Sequence, residues 1–149
     1  MHMRELNLRI FTDGGARGNP GPAGAGAVIT DADTGEVLKE LSKYLGETTN
    51  NQAEYAAVIM ALDEASKMNP DSVMVVADSE LLVRQLTGMY RVKNEGLAKR
   101  YAEVRGFEMR IGKPVRYRHV LRAQNKAADA LANKAMDEGT KGRGEGRGV

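Results

Sequence analysis

The sequence predicts an α/β protein built on one mixed five-stranded sheet. Three strand-like segments near the N-terminus are joined by short turns, which favours an antiparallel arrangement. Helix-like and strand-like segments then follow one another, which adds a parallel part to the sheet. The predicted order is β-β-β-α-β-α-α-β-α, with strands 1–3 antiparallel and helices on both faces of the sheet.

The first three strands are predicted from apolar alternation and turn residues. Residues 6–10 alternate between apolar and polar side chains, and residues 27–30 and 37–45 give the second and third strands. The glycine- and proline-rich segment GGARGNPGPAGAG between the first two is predicted to be a turn. A hairpin turn at 33–35 joins the second strand to the third.

The remaining elements follow from a change to helical spacing. Thr48 or Thr49 is expected to cap the first helix, which ends at Asn69-Pro70-Asp71. A uniformly apolar run then indicates a strand that is covered on both faces. The later predicted elements are this strand at 73–77, helices at about 79–86 and 95–111, a strand at 115–120 and a last helix at 125–138.

Length and composition favour a single globular domain. The chain has 149 residues, of which 42% are hydrophobic and 28% charged. We expect an N-terminal extension at 1–5, the domain at 6–138 and a disordered Gly/Arg tail at 139–149. No apolar run could span a bilayer and no signal-peptide pattern is present, so no membrane partner and a cytoplasmic location are expected. The absence of cysteine excludes disulfides and zinc-thiolate or iron–sulfur sites.

The charge distribution leaves two interpretations open. The net charge is only +2, but basic residues are concentrated in the second half of the chain. Such a field suits a nucleic acid, whereas solvated helix faces would have the same composition. The basic residues are Arg84, Arg91, Lys93, Lys99, Arg100, Arg105 and Arg110.

Four acidic residues in distinct contexts carry the functional information. Asp13 and Asp78 each follow an apolar strand, while Glu54 and Asp129 lie on helix flanks. If the two strands are parallel neighbours, their carboxylates emerge at one crevice, where open α/β sheets place ligands. Clustered carboxylates without His or Cys are the ligand set that Mg²⁺ or Mn²⁺ prefers.

Each acid taken alone also has an ordinary explanation. Asp13 and Asp78 could be turn or helix-capping residues, and Asp129 could be solvated. The four together favour a metal-dependent enzyme. Without metal the clustered carboxylates repel one another, so at least one should have a raised pKa.

Four segments carry a resemblance to a known family. TDGGARGNPGPAG, TTNNQAEYAA, ADSELLVRQL and NKAADALAN resemble the motifs of type 1 ribonucleases H, in the same order and spacing. The resemblance implies hydrolysis of the RNA strand of RNA–DNA hybrids with two metal ions, leaving 5′-phosphate and 3′-hydroxyl ends. It assigns the catalytic and metal-binding carboxylates to Asp13, Glu54, Asp78 and Asp129.

The resemblance also implies a set of substrate contacts. Amide side chains can both donate to and accept from the 2′-hydroxyls that distinguish RNA from DNA. Thr49 matches a position that binds a DNA-strand phosphate, and Arg84 or Lys93 could contribute to that contact. The full set of substrate-binding candidates is Gly14, Asn19, Thr49, Asn50, Asn51, Gln52, Ser79, Arg84, Tyr90 and Lys93.

Two departures from the family pattern matter. Some members carry a catalytic His in the loop before the last Asp; here Arg122 is the favoured candidate and His119 the alternative. Only MYRVKN separates Gly88 from Glu95, so the chain resembles the subgroup that lacks the basic protrusion. In the absence of Trp, Tyr90 with Lys93 could contact the DNA strand, or Tyr90 could pack as core.

Three other functions compete with hybrid cleavage. A junction resolvase or integrase-like nuclease would share the predicted fold, and a non-catalytic nucleic-acid-binding module would share it without the chemistry. A phosphatase would also use Asp and Mg²⁺ but would place a second Asp two residues after the first, where Asp13 is followed by Gly14-Gly15. A monomer without an obligate protein partner is expected.

Overall fold

The computed structural model describes the backbone of residues 4–147 and the side chains up to residue 141. It confirms the predicted α/β class and element order. The strands are β1 (Asn7–Ala16), β2 (Gly21–Asp31), β3 (Val37–Thr48), β4 (Ser72–Ala77) and β5 (Val115–His119). The helices are α1 (Asn50–Ser66), α2 (Glu80–Leu86), α3 (Glu95–Ile111) and α4 (Lys126–Arg147).

The five strands form one sheet in the order β3-β2-β1-β4-β5. β1 pairs antiparallel with β2, which pairs antiparallel with β3. On the other side, β1 pairs parallel with β4, and β4 pairs parallel with β5. The predicted division into an antiparallel and a parallel part is therefore confirmed, and β1 is the central strand.

The prediction of a long Gly/Pro-rich turn was wrong. β1 continues to Ala16 and β2 begins at Gly21, so most of the segment is paired strand. The reason is tertiary: a Cβ on Gly24 would lie 2.5 Å from the carbonyl oxygen of Ala132, and one on Gly26 would lie 2.3 Å from that of Ala128. These glycines let α4 lie directly on β2, a contact that local propensity does not encode.

Two further boundaries differ from the prediction. The last helix continues past residue 138 to Arg147, whereas a disordered tail was expected from residue 139. Gly139 allows a close approach of the Tyr44 ring, and the Thr140 hydroxyl donates to the Met136 carbonyl at 2.7 Å, so helix and packing continue together there. A 3-10 turn at Arg122–Gln124 was not predicted. Residues 1–3, 148 and 149 lie outside the described residues.

The main core lies between the sheet and the helices α1 and α3. Its largest fully buried side chains include Leu8 and Ile10 of β1, Tyr55 and Leu62 of α1, and Val104 of α3. The Tyr55 hydroxyl donates to Gln85 Oε1 at 2.7 Å, which satisfies the one polar atom of that ring. The opposite face of β1–β3 is covered by α4. None of the helices in the described part of the chain has the length and apolar character that crossing a bilayer requires.

Helix boundaries follow the capping residues of the sequence. The Thr49 hydroxyl accepts the backbone N–H of Gln52 at 3.2 Å, so Thr49 is the N-cap of α1. Asn94 caps α3 through the backbone N–H of Leu97, and Gly112, at φ +65°, ends that helix. Capping residues in the sequence therefore set the start of α1 and both ends of α3.

Candidate active site

The parallel pairing of β1 and β4 places two of the four acids side by side. Thr12 pairs with Ala77, so Asp13 and Asp78 each follow the same rung of the ladder. Asp13 is still within β1, where it faces Gly26 of β2. Both carboxylates lie at the carboxyl ends of the parallel strands, as expected from the sequence.

The other two acids reach the same place from opposite faces of the sheet. Glu54 lies on the second turn of α1, and Asp129 on the first turn of α4. All four carboxylates line one open cavity of about 550 Å³. The remaining residues that line it are Gly14, Gly15, Ala16, Arg17, Asn50, Asn51, Ser79, Arg122, Ala132, Asn133 and Met136.

Glycine residues in the sheet allow α1 and α4 to pack closely against it. A Cβ on Gly14 would lie 2.1 Å from the carbonyl oxygen of Ala53, the residue before Glu54. Gly26, opposite Asp13, has the corresponding contact with α4, which carries Asp129. Gly14, a substrate-binding candidate from the sequence, therefore has a packing role in the structure.

The electrostatics of the cavity are dominated by its acids. Burial, reinforced by the charge of Asp78 and by hydrogen bonding and charge repulsion with Asp129, raises the pKa of Asp13 to about 8. The Gly14 backbone N–H partly opposes this shift. Burial also raises the pKa of Glu54, assisted by Asp78 and opposed by a hydrogen bond with Ser79. The expectation of at least one raised carboxyl pKa is confirmed.

The donor set fits a hard divalent cation. The four acids supply only oxygen atoms, the ligands that Mg²⁺ and Mn²⁺ prefer. A buried carboxyl whose pKa is raised by its neighbours becomes favourable in its ionised form once a cation compensates the charge. Among the described residues, no three Asp, Glu, His or Cys side chains are drawn together as tightly as the ligands of a metal ion. The acids thus share a cavity without surrounding one point.

Polar residues on one side of the cavity form a connected network. Asn50 Oδ1 accepts the backbone N–H of Ala16 at 2.8 Å, and Asn19 Oδ1 accepts the backbone N–H of Asn50 at 3.0 Å. This network joins the β1–β2 turn to the start of α1. It leaves Asn51, an exposed residue that lines the cavity, free of any role in holding that turn.

Several predicted substrate residues lie outside the cavity. The Gln52 side chain accepts from Arg100 at 3.1 Å, and Thr49 is engaged in helix capping. Arg84 pairs with Glu80 at 2.6 Å and lies over the Tyr90 ring at 5.3 Å. The candidates that do not line the cavity are Asn19, Thr49, Gln52, Arg84, Tyr90 and Lys93; the last two are exposed.

The structure separates the two candidates for the assisting basic residue. Arg122, at the start of the 3-10 turn, lines the cavity. His119 is the last residue of β5, pairs with Ala77 and does not line it.

Sequence reasoning missed one residue next to the acids. Asn125 is 1% exposed, and its side-chain amide donates to Asp78 and to the carbonyl of Thr12. The available signal was its spacing: Asn125 precedes Asp129 by four residues within the NKAADALAN segment. Arg17, Asn133 and Met136 also line the cavity without having been predicted.

The fold and the cavity together define the class: an α/β protein with an acidic site at the carboxyl ends of two central parallel strands. Comparison with known proteins identifies a family within this class. The profile of a family described as Reverse transcriptase-like matches residues 11–135. A Ribonuclease H of Halorhodospira halophila is 37% identical over 145 residues, covering 88% of this chain and 93% of that protein.

Other relatives are longer or of known structure. The bifunctional protein Rv2228c of Mycobacterium tuberculosis is 44% identical over 132 residues, which are 89% of this chain but only 36% of that protein. Its N-terminal RNase H domain superposes with a TM-score of 0.88 at 41% identity, covering 93% of this chain and 99% of the solved one. LC11-RNase H1, isolated from compost, was solved in complex with an RNA/DNA hybrid. It superposes with a TM-score of 0.83 at 46% identity, covering 89% of this chain and 99% of the solved one.

These matches extend over nearly all of the described domain, and they agree with the motifs read from the sequence. The chain belongs to the type 1 ribonuclease H family.

Proposed function

We propose that this protein is an endonuclease that hydrolyses the RNA strand of RNA–DNA hybrids with the help of divalent metal ions. One observation carries the proposal: Asp13, Glu54, Asp78 and Asp129 line a single open cavity beside the amides of Asn50 and Asn51. Family membership supports it, and so does the hybrid bound to LC11-RNase H1.

The chain's own residues divide the work between charge and recognition. Two bound Mg²⁺ ions, or Mn²⁺ in their place, would activate the attacking water and stabilise the leaving 3′-oxygen, giving 5′-phosphate and 3′-hydroxyl ends. Asp13 interacts with both Asp78 and Asp129, and these carboxylates together with Glu54 would hold the ions. Once ionised, the acids would make the cavity negative and would repel a phosphodiester alone, so binding of substrate should depend on the cation.

The amides provide the contact that distinguishes RNA from DNA. Asn50 and Asn51 line the cavity: Asn51 offers donors and an acceptor for a 2′-hydroxyl, whereas Asn50, whose Oδ1 accepts the Ala16 N–H, offers its NH₂ donors. Arg122 is the cation of the cavity nearest in sequence to Asp129, and a guanidinium pairs with phosphate oxygens through charge-assisted hydrogen bonds. One chain supplies all four acids of the cavity, and we propose that the monomer is active.

The experiment that tests the function uses three matched duplexes. An end-labelled RNA is presented in an RNA–DNA hybrid and in an RNA duplex, and a DNA duplex of the same sequence is run beside them. Cleavage of the hybrid alone, requiring Mg²⁺ or Mn²⁺ and stopped by EDTA, is the expected result, with products that carry 3′-hydroxyl ends extendable by a polymerase. Binding of the hybrid without cleavage in the presence of either metal would contradict the proposed enzyme activity and would favour a non-catalytic nucleic-acid-binding module.

The raised pKa of Asp13 predicts how metal binding depends on pH. Because the carboxyl must lose its proton to bind a cation, each pH unit below about 8 should weaken Mg²⁺ binding by up to about tenfold. Affinity should rise between pH 6 and pH 8 and then level off. Calorimetric titration of the substrate-free protein with Mg²⁺ or Mn²⁺ measures this directly. An affinity that is constant across that range would contradict the assignment.

The positions of Arg122 and His119 predict different effects of truncation. Arg122→Ala removes one of the two arginines that line the cavity, and loss of one charge-assisted contact should lower kcat/KM about 10- to 100-fold. His119→Ala, outside the cavity, should leave kcat/KM within about twofold of the unsubstituted protein, since no contact to the reacting atoms is lost. Steady-state kinetics on the hybrid compare the two, and the reverse ranking would restore His119 as the assisting residue.

A further inference from the structure

Asn125, a buried residue, bonds the side chain of one acid of the cavity and the backbone at or next to two others. Asn125 Nδ2 donates to Asp78 Oδ2 at 2.8 Å and to the carbonyl oxygen of Thr12 at 2.9 Å. The Thr12 carbonyl belongs to the peptide that leads into Asp13. The backbone carbonyl of Asn125 accepts the N–H of Asp129 at 3.1 Å. One residue therefore contacts β1, the end of β4 and the first turn of α4.

The chemistry of these contacts fixes the orientation of the amide. A main-chain carbonyl oxygen can only accept hydrogen bonds, and an ionised carboxylate also only accepts them. The Asn125 NH₂ group supplies two donors at one atom, so it can serve both at once, and rotation of the amide by 180° would set oxygen against oxygen. An aspartate at this position would bring a fifth carboxylate against Asp78.

Stability alone does not explain why an amide is present here. Asn125 Oδ1 is buried and has no hydrogen-bond partner in the described part of the chain. Asn125 immediately precedes α4, where the side-chain oxygen of an asparagine ordinarily accepts a helix N–H, yet Oδ1 accepts none here. A buried acceptor without a partner costs stability, and such departures concentrate at functional sites.

We propose that Asn125 is a positioning residue of the carboxylate cavity. By holding Asp78 Oδ2, it keeps that carboxylate in one rotamer with Oδ1 left for the cavity. By bonding the Thr12 carbonyl, it fixes the start of α4, and with it Asp129, to the strand that carries Asp13. The inference rests on the proposed nuclease function and deepens it, since metal-binding carboxylates depend on the groups that orient them.

Gln85 supplies a matched control. It is a second buried amide, 7% exposed, and its Oε1 accepts from the Tyr55 hydroxyl at 2.7 Å. Gln85→Met and Asn125→Leu each replace an amide by an apolar side chain of similar shape. Gln85→Met removes one buried hydrogen bond, whereas Asn125→Leu removes two, of which one is to a carboxylate of the cavity.

The test measures metal binding as well as catalysis. For Asn125→Leu we expect kcat on the hybrid to fall about 10- to 100-fold, with KM changed less than about threefold, and affinity for Mn²⁺ without substrate to fall about tenfold. Gln85→Met should keep kcat and Mn²⁺ affinity within about twofold even if its unfolding temperature falls. Equal losses in the two variants, or an Asn125→Leu protein with wild-type kcat and Mn²⁺ affinity, would overturn the proposal.

A second variant protects the test against misfolding. Asn125→Ser keeps a residue favoured before a helix, but its short hydroxyl has one hydrogen and cannot bond both Asp78 and Thr12. It should show the same loss of Mn²⁺ affinity, and a folded Asn125→Ser with unchanged affinity would sink the idea. If the unsubstituted protein cleaves no hybrid, the nuclease function fails, while the Mn²⁺ titration still decides whether Asn125 positions the acids.

Discussion

Asp13→Asn is expected to abolish hydrolysis of an RNA–DNA hybrid while leaving the protein folded. Asp13 lies on the central strand and interacts with both Asp78 and Asp129, so its removal disturbs the whole acidic cavity. A loss of about 1,000-fold in kcat/KM corresponds to about 4 kcal/mol of transition-state stabilisation, the scale expected for losing a metal ligand. Single-turnover cleavage of labelled hybrid measures it.

The same substitution should stabilise the metal-free protein at alkaline pH. The pKa of Asp13 is about 8 in the folded protein, against an ordinary value of 3.8. The unfolded chain therefore ionises first, and stability of the native protein falls as pH rises from about 4 to about 8. Asp13→Asn removes this loss, and a gain on the order of 1–3 kcal/mol is expected at pH 8, after allowing for solvent screening.

Denaturant unfolding in EDTA at pH 5 and pH 8 tests this prediction. The gain should be larger at pH 8, because at pH 5 the loss of stability has only begun. Asp33→Asn is the matched control: it removes the same charge from an exposed turn and should change neither activity nor the pH profile by a measurable amount. Cleavage by Asp13→Asn within tenfold of the unsubstituted rate would show that this carboxylate is dispensable.

Gly26→Ala is expected to have the largest effect on stability. A Cβ at this position would lie 2.3 Å from the carbonyl oxygen of Ala128 and 2.6 Å from the backbone nitrogen of Ala132. Both are backbone atoms of α4, so no side chain can move aside to make room. Displacing the helix from the sheet should cost about 3 kcal/mol or more, and it should also lower activity because Asp129 moves with α4.

Gly106→Ala provides the control for the chemical change itself. Gly106 is exposed in the middle of α3, and a Cβ there meets nothing within 4 Å. Alanine should stabilise that helix by about 0.5–1 kcal/mol. Thermal unfolding of the two variants should therefore shift in opposite directions. A Gly26→Ala protein as stable as the unsubstituted one would show that α4 can be displaced without penalty.

Patterns local in sequence predicted most of the elements. The bounds predicted for α3, 95–111, are those observed, because an asparagine cap begins the helix and a glycine ends it. The predicted strands were too short where the sequence has glycines rather than larger apolar residues, as at Gly24 and Gly26. In those places the strand is stabilised by pairing and by the contact with α4, neither of which is recorded in the residues themselves.

Part of the candidate site could likewise be predicted from the sequence, and part required the structure. The four acids were identified because their motifs are contiguous in sequence, and the structure brings all of them to one cavity. The sequence favoured Arg122 but left His119 as an alternative, because both lie in or beside the same loop. Only the end of β5 at His119 and the following turn decide which side chain reaches the cavity.

The sequence by itself determined the α/β class, the element order, the family and the four carboxylates, because periodicity, caps and motifs are properties of neighbouring residues. Tertiary structure alone decided the sheet order, the pairing of the glycine-rich segment, the raised pKa of Asp13 and the bond from Asn125 to Asp78. Burial and hydrogen bonding across 47 or 113 positions of sequence depend on how elements pack, and packing is set by the whole chain.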